Sequence, residues 1–170
     1  FAGHAQLSFY VLLLAGLYAL WKRANFFWIP WLFALVITSI QWIPLARSVF
    51  ESSRVVTIDR WQTAGWFLPW QHLTQFFSPD FFGNPATLNY WGEWNYGEFI
   101  GYISIVGLLF ALYVLLAEKK SSHIKFWGWT LAITLVFLLP TPIAKLPYLL
   151  RIPIVSALQP TRLMSIVDFS

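Results

Sequence analysis

The stretch FIGYISIVGLLFALYVLLA, residues 99–117, contains no charged side chain and decides the fold prediction. A helix needs about 20 mostly apolar residues to cross a bilayer, and this stretch approaches that length. Comparable uncharged windows occupy residues 1–21, 26–46 and 126–144, and a further apolar run starts at residues 163–170. Pro140 and Pro142 predict that the helix in the last window ends early. We therefore predict an all-α integral membrane protein with about four complete transmembrane helices and part of a fifth, forming a single transmembrane domain over residues 1–170.

The composition of the whole chain favours the same class. Of its 170 residues, 58% are apolar and only 11% are charged, and the mean hydropathy is +0.62. Soluble domains carry roughly 25% charged residues, so these charges are too few to cover the surface of a soluble globule. An ordinary soluble domain, a disordered chain and a nucleic-acid-binding module are excluded. The chain begins at Phe1 and its one methionine is Met164, so we expect an internal piece of a longer protein.

The basic residues of the short connections predict the orientation. Residues 22–25 and 118–125 together carry five basic side chains and one acidic side chain. The positive-inside rule places such connections in the cytoplasm. Residues 47–98 and 145–162 are then extracytoplasmic. The net charge of +4 is accordingly a signal of topology, and the predicted partner is membrane lipid with no nucleic acid.

The predicted outer segment 47–98 is too long for a simple connection and is rich in aromatic residues. Apolar side chains between Trp61 and Phe77 are spaced to share one helical face, which predicts short helices lying in the membrane interface. Such a face could be an anchor without chemistry. It could also form a wall of a lipid or sugar site.

Two motifs in this segment bring carboxylates and aromatic rings together. The motif SPDFFGNP, residues 78–85, is a predicted loop in which Asp80 either caps a turn or contacts a substrate hydroxyl, a metal ion or a basic residue. The motif NYWGEWNYGEFIGY, residues 89–102, surrounds Glu93 and Glu98 with tyrosine and tryptophan. Rings and acids in this arrangement suit a carbohydrate, although they also suit any wet membrane interface. Glu98 could instead cap the helix that follows it.

Two arginines of the predicted outer face are candidates for binding phosphate. Arg54 lies in ESSR and Arg162 lies in QPTR. A guanidinium group binds phosphate bidentately and keeps its charge near a membrane. Pairing with lipid headgroups or nearby acids is the alternative for both. The absence of cysteine and the scatter of the three histidines predict no metal site and no cofactor, although assistance by a divalent metal ion stays open.

Read in order, five segments resemble the bacterial YfhO-type membrane proteins, which are similar to the C-type (GT-C) glycosyltransferase superfamily. The segments are AGHAQLSFY, QWIPLARSVFESSR, FFSPDFFGNP, NYWGEWNYGEFIGYISIVGLL and LQPTRLMSIVDFS. Two positions depart from the expected pattern, because Ala5 stands where proline is expected and Ser104 where glycine is usual.

The resemblance implies transfer of a sugar from a polyprenyl-phosphate donor to an envelope glycopolymer acceptor, outside the bacterial plasma membrane. It implies that the catalytic carboxylate lies upstream of Phe1, which leaves the catalytic residue unknown here. It assigns the donor phosphate to Arg54 and Arg162. The residues that it implies for the sugar or acceptor site are Asp80, Asn84, Tyr90, Glu98 and His4.

Two other functions fit parts of the sequence. A flippase or transporter for a lipid-linked substrate would need polar groups deep within its spans, where this chain offers little besides Gln41. A non-catalytic membrane assembly protein would account for the apolar windows. It would leave the long aromatic segment without a purpose.

Overall fold

A computed structural model describes residues 5–26, 28–51, 60–117, 121–152, 155 and 158–170. Every regular element among these residues is a helix, and no strand occurs in them. The chain divides into two compact units, Phe1–Asp59 and Arg60–Ser170. All the predicted site residues that the structure describes belong to the second unit.

The first unit contains two apolar helices, α1 (Ala5–Trp21) and α2 (Trp28–Glu51). They approach each other closely at Gly16, where an added Cβ atom would lie 2.9 Å from Cη2 of Trp31. The absence of a side chain at Gly16 therefore allows the Trp31 ring to pack directly against α1.

The second unit is built around one central helix. Its α-helices are α3 (Tyr96–Phe99), α4 (Ile105–Ala117), α5 (Ser122–Leu138), α6 (Pro142–Leu149) and α7 (Met164–Phe169). Short 3-10 helices cover Arg60–Gln62, Trp70–Phe76, Pro85–Thr87 and Pro160–Leu163. The central helix is α5, because α4, α6, α7 and the last of the 3-10 helices all pack against it.

Two clusters of buried apolar side chains form the core of this unit. The larger consists of Leu68, Phe76, Phe99, Leu138, Leu139, Met164 and Val167. The smaller consists of Phe67, Ala144 and Tyr148. The consecutive residues Phe67 and Leu68 thus enter different clusters, and the Leu68 N–H donates to the Leu138 carbonyl at 3.0 Å. These contacts attach the segment that precedes the site to the end of α5.

The prediction of about four complete transmembrane helices is wrong. Among the described residues, no single helix is both long and apolar enough to cross a membrane. α1 covers 17 residues and α4 covers 13. The helices α5 and α6 reach the required length and composition only as a pair, which is bent by 63° at the break between them.

α4 is shorter than its apolar window because local hydrogen bonding determines where it begins. Ser104 has a φ of 85°, and its Oγ accepts the Gly107 N–H at 3.0 Å. This bond satisfies one of the N–H groups that a helix start leaves unpaired. Residues 100–104 are not helical and separate α3, which ends at Phe99, from α4, which begins at Ile105.

The break between α5 and α6 follows from the prolines and a cap. α5 ends at Leu138, and Leu139 is extended with φ −82° and ψ 156°. Thr141 Oγ1 accepts the Ala144 N–H at 3.1 Å and so caps α6. Pro142 lies in the first turn of α6, where its missing N–H costs nothing. The window 126–144 is therefore divided between two helices.

The predicted sharing of one helical face by the apolar side chains between Trp61 and Phe77 is wrong, although short helices are present there. These are the 3-10 helices Arg60–Gln62 and Trp70–Phe76, and the second begins after Pro69. Phe67 is buried, whereas Trp70 and Phe77 are exposed. The aromatic side chains are therefore divided between the core and the surface.

Candidate functional site

The Asp80 carboxylate is held by two side chains that come from different parts of the second unit. Its Oδ1 accepts hydrogen bonds from the Tyr96 hydroxyl and, at 3.1 Å, from Asn84 Nδ2. The same Nδ2 atom lies 3.2 Å from the Tyr96 oxygen and donates to it. Tyr90 packs edge-on against the Tyr96 ring, with the ring centroids 5.5 Å apart. These four residues are called the Asp80 cluster below.

The loop that carries Asp80 is shaped by Asn84 and by a required glycine. Asn84 Oδ1 accepts the Ala86 N–H at 2.9 Å, and the Asn84 N–H donates to Asn89 Oδ1 at 2.9 Å. Gly83 has a φ of +81°, and an added Cβ atom would lie 2.2 Å from the Asn89 carbonyl oxygen. Glycine alone fits this conformation and this close approach. The loop therefore presents Asp80 in one defined arrangement.

Two exposed aromatic rings, those of Phe81 and Trp91, flank the loop that carries Asp80. Phe81 and Trp91 are exposed, and both contact the buried ring of Phe82. The centroids of the Phe82 and Trp91 rings are 4.8 Å apart. The backbone N–H of Trp91 also donates to the Phe82 carbonyl at 2.9 Å. The loop and the segment after it are thus joined side by side, with a carboxylate and exposed rings on the same stretch of surface.

The tyrosines of the Asp80 cluster have raised pKa values. The hydrogen bond to the Asp80 carboxylate is the main cause that raises the pKa of Tyr96 above its usual value of 10.0. Desolvation is the main cause for Tyr90, and the charge of Glu93 adds to it. The phenol of Tyr96 keeps its proton at any pH below its raised pKa, so its hydrogen bond to Asp80 is present in neutral solution. The bond is lost as the pH rises through the folded pKa.

A second cluster joins α3 to the turn before α7. Glu98 Oε1 forms an ion pair with Arg162 Nη2 at 2.9 Å. Glu98 Oε2 accepts from Gln159 Nε2 at 3.2 Å and from Trp94 Nε1 at 3.3 Å. Gln159 Nε2 also donates to the Gly65 carbonyl at 3.0 Å. We call Glu98, Arg162, Gln159 and Trp94 the Glu98 cluster.

Three buried polar atoms, one in the Glu98 cluster and two in residues next in sequence to its contacts, have no hydrogen-bond partner among the described residues. The Nε of Arg162 is buried without a hydrogen-bond partner, and so are Thr161 Oγ1 and Trp66 Nε1. All three atoms are hydrogen-bond donors. The ion pair itself is partly accessible, with side-chain exposures of 29% for Arg162 and 19% for Glu98.

Beneath the Asp80 loop lies a fully buried polar pair, His72 and Gln75. His72 Nδ1 is 2.6 Å from Gln75 Oε1, and Gln75 Nε2 donates to the Pro79 carbonyl at 3.1 Å. The imidazole ring stacks on Phe82 with a centroid distance of 4.3 Å and meets the edge of Phe99 at 4.7 Å.

The structure brings the described site residues together in two groups. Asp80, Asn84 and Tyr90 converge on Tyr96, whereas Glu98 pairs with Arg162. The short helix α3 carries both Tyr96 and Glu98, so the two clusters share one element. Arg54 and His4 lie outside the described residues.

The Asp80 carboxylate does not cap a turn, and the Glu98 carboxylate does not cap the helix that follows it. Asp80 accepts the Gly83 N–H through its backbone carbonyl at 2.9 Å, which leaves its carboxylate for Tyr96 and Asn84. The helix that follows Glu98 is capped by Ser104. Both carboxylates are therefore engaged in tertiary contacts.

The residues that connect the site are not predicted from the sequence. Tyr96 belongs to the motif NYWGEWNYGEFIGY, yet no local pattern pairs it with Asp80. Gln159 is the first residue of the motif QPTR, three residues before Arg162. Its role depends on a hydrogen bond to the Gly65 carbonyl, which is distant in sequence. His72 and Gln75 are three residues apart on one short helix, and that spacing was the available signal for their bond.

Within the described ranges, no group of three or more histidine, aspartate or glutamate side chains is placed to hold a metal ion. No family model, curated protein or solved structure matches the chain.

Proposed function

We propose that the Asp80 cluster binds a sugar, and that the chain is part of a YfhO-like glycosyltransferase of the bacterial plasma membrane. The observation that supports this most strongly is a carboxylate fixed by a phenol and an amide beside exposed aromatic rings. Sugar hydroxyls donate to carboxylates, and the apolar face of a sugar ring packs on an aromatic face. The transferred sugar comes from a polyprenyl-phosphate donor and goes to an envelope glycopolymer.

The free lone pairs of Asp80 are what a sugar hydroxyl would use. Both hydrogen bonds from Tyr96 and Asn84 go to Oδ1, so Oδ2 has no hydrogen bond from the described residues. Asp80 is exposed, and so is Trp91, which has 67% of its surface accessible and contacts the ring of Phe82 in the same loop. The site is preorganised because its acceptor is already oriented before a ligand arrives.

The placement at a membrane rests on the apolar surface of the second unit. None of the residues of α4 is buried, although the helix is apolar on every side. An exposed surface of this kind marks contact with lipid or with another protein. The bent α5–α6 pair offers the length and composition for an anchor in lipid. The cytoplasmic position of residues 22–25 and 118–125 stays a prediction.

Arg162 remains the residue proposed for the donor phosphate. Its guanidinium is partly exposed and already pairs with one anionic group, the Glu98 carboxylate. A phosphate would share this guanidinium with Glu98 or replace Glu98 on it. The planar carboxylate and the tetrahedral phosphate are both oxyanions that can accept two parallel hydrogen bonds from a guanidinium group. α3 then links the phosphate position to the sugar position through Glu98 and Tyr96.

Sugar binding is tested by titrating the chain, held in detergent micelles, with glucose, galactose, mannose and N-acetylglucosamine. The tryptophan indole N–H signals are followed by NMR, and the Trp91 signal is assigned with a Trp91→Phe variant. We expect one of the four sugars to shift the Trp91 signal. Asp80→Asn should raise the Kd about tenfold or more, because a hydrogen bond to a charged group contributes about 1.5–3 kcal/mol.

Glu93→Gln is the matched control, since Glu93 is an exposed acid of the same surface that bonds to Gln71. Its Kd should stay within about twofold of the wild-type value, because surface changes away from a contact have small effects. Equal losses in the two variants, or no shift with any sugar in the folded protein, would contradict a sugar site at Asp80.

A further inference from the structure

We propose that His72 is a positioning residue that fixes the Asp80 loop against α3 and so holds Asp80 in its binding arrangement. This inference rests on the proposed sugar site for its functional meaning. Its structural content stands on the contacts of one buried ring. His72 and Gln75 are both completely inaccessible to solvent.

The hydrogen-bond directions from His72 to the loop are determined by chemistry. The Pro79 carbonyl can only accept, so Gln75 presents its amino group to Pro79 and its oxygen to His72. The Gln75 oxygen can only accept, so Nδ1 of His72 carries the hydrogen. The relay therefore runs from the imidazole N–H through the Gln75 amide to the peptide group that joins Pro79 to Asp80.

The ring of His72 also touches both elements that meet at the Asp80 cluster. It stacks on Phe82, two residues after Asp80, at a centroid distance of 4.3 Å. It meets the edge of Phe99, three residues after Tyr96, at 4.7 Å. A single buried side chain thus packs between the loop that supplies the carboxylate and the helix that supplies the phenol.

These contacts explain why a histidine occupies this position. An apolar ring would fill the space between the two phenylalanines but would leave Gln75 Oε1 buried without a donor. An aliphatic amide would supply the donor but would lose the ring contacts. Histidine provides both an aromatic face and an N–H group, at the expense of an Nε2 atom that no described residue pairs.

The test uses the Tyr96 phenol as a reporter that needs no ligand. The chain is labelled with [13Cζ]tyrosine, Tyr96 is assigned with Tyr96→Phe, and its pKa is measured by NMR. In the wild type the hydrogen bond to Asp80 keeps this pKa above 10.0. We expect His72→Phe to lower it toward 10.0, the direction in which Asp80→Asn, the reference variant, should also move it. His72→Asn, whose amide can reproduce the Nδ1 donor, should retain more of the elevation.

The double variant His72→Phe/Gln75→Leu separates positioning from stability. Replacing both buried side chains with apolar groups removes the unpaired Gln75 oxygen and leaves only the part-buried Pro79 carbonyl without its donor, so most of the stability of the folded state should be recovered. The Pro79 anchor is still missing, so the Tyr96 pKa should stay low. Tyr148→Phe is the control, because Tyr148 belongs to the other core cluster and the variant deletes only its hydroxyl, which donates to the Leu158 carbonyl. It should leave the Tyr96 pKa unchanged.

Two results would overturn the proposal. One is a Tyr96 pKa in the folded double variant that equals the wild-type value. The other is a Tyr148→Phe variant that lowers the Tyr96 pKa as much as His72→Phe does. If the wild type binds no sugar while the Tyr96 pKa responds as expected, the sugar site is rejected and the positioning role of His72 stands. If sugar binds and His72→Phe leaves both the Kd and the Tyr96 pKa unchanged, only the positioning role is rejected.

Discussion

Leu138→Ala should lower the free energy of unfolding of the second unit by about 2–5 kcal/mol, the range found for large-to-small changes in well-packed cores. Leu138 has no accessible surface and belongs to the larger core cluster, with Leu68 and Phe99. The measurement is urea unfolding of the chain in detergent micelles, followed by tryptophan fluorescence. A rigid surrounding structure places the loss toward the upper end of this range, because a cavity then persists.

Leu146→Ala provides the matched control for this loss. It removes the same atoms from the neighbouring helix α6, where the Leu146 side chain is half exposed. Its effect on the free energy of unfolding should stay within about 0.5–1 kcal/mol, because the removed atoms largely contact solvent or detergent in the folded and the unfolded protein alike. Equal losses at the two positions would mean that the end of α5 is not a packed core.

Arg162→Leu should lower the free energy of unfolding by about 1–3 kcal/mol. Breaking a buried ion pair costs about 3–5 kcal/mol, because the remaining charge is left unpaired. The lower figure applies here because the two side chains are 29% and 19% exposed, and solvent screens the remaining charge. The Glu98 carboxylate would keep only the weaker donors Gln159 and Trp94.

A double-mutant cycle with Glu98→Gln isolates the pair itself. We expect Glu98→Gln/Arg162→Leu to be less destabilised than the sum of the single variants, with a coupling of at least about 0.5 kcal/mol. Lys125→Met, at an exposed position of α5, should change the free energy of unfolding by less than about 0.5 kcal/mol. Additive single effects would show that Glu98 and Arg162 do not interact in solution.

The local features of the site could be predicted from the sequence, and its partners could not. The prolines, glycine and asparagine of SPDFFGNP predicted a loop, and the structure has turns there followed by a short 3-10 helix. Asp80 meets Tyr96 sixteen residues later, and Glu98 meets Arg162 sixty-four residues later. Periodicity reports which residues share a face of one element. It carries no information on which distant side chains face each other.

The error in the fold prediction has a related cause. Hydropathy measures the length of an uncharged window, whereas a helix begins and ends where its backbone groups find caps. Ser104 starts α4 six residues inside its window, and Thr141 starts a new helix within the window 126–144. Proline restricts the backbone next to it, so its effect can be predicted from the local sequence. The prediction from Pro140 that the helix ends early is confirmed by the end of α5 at Leu138.

The central claim is that the Asp80 and Glu98 clusters together hold a polyprenyl-phosphate-linked sugar. The most direct measurement uses liposomes that contain the chain and a radiolabelled short-chain polyprenyl-phosphate sugar. They are mixed with an excess of unlabelled liposomes and separated by flotation. The fraction of the label that stays with the protein-containing liposomes is then measured. We predict retention by the wild type that falls about tenfold or more in Asp80→Asn and in Arg162→Leu, and that persists in Glu93→Gln and Lys125→Met. Retention that is the same in all five proteins, or absent from a folded wild type, would contradict the claim.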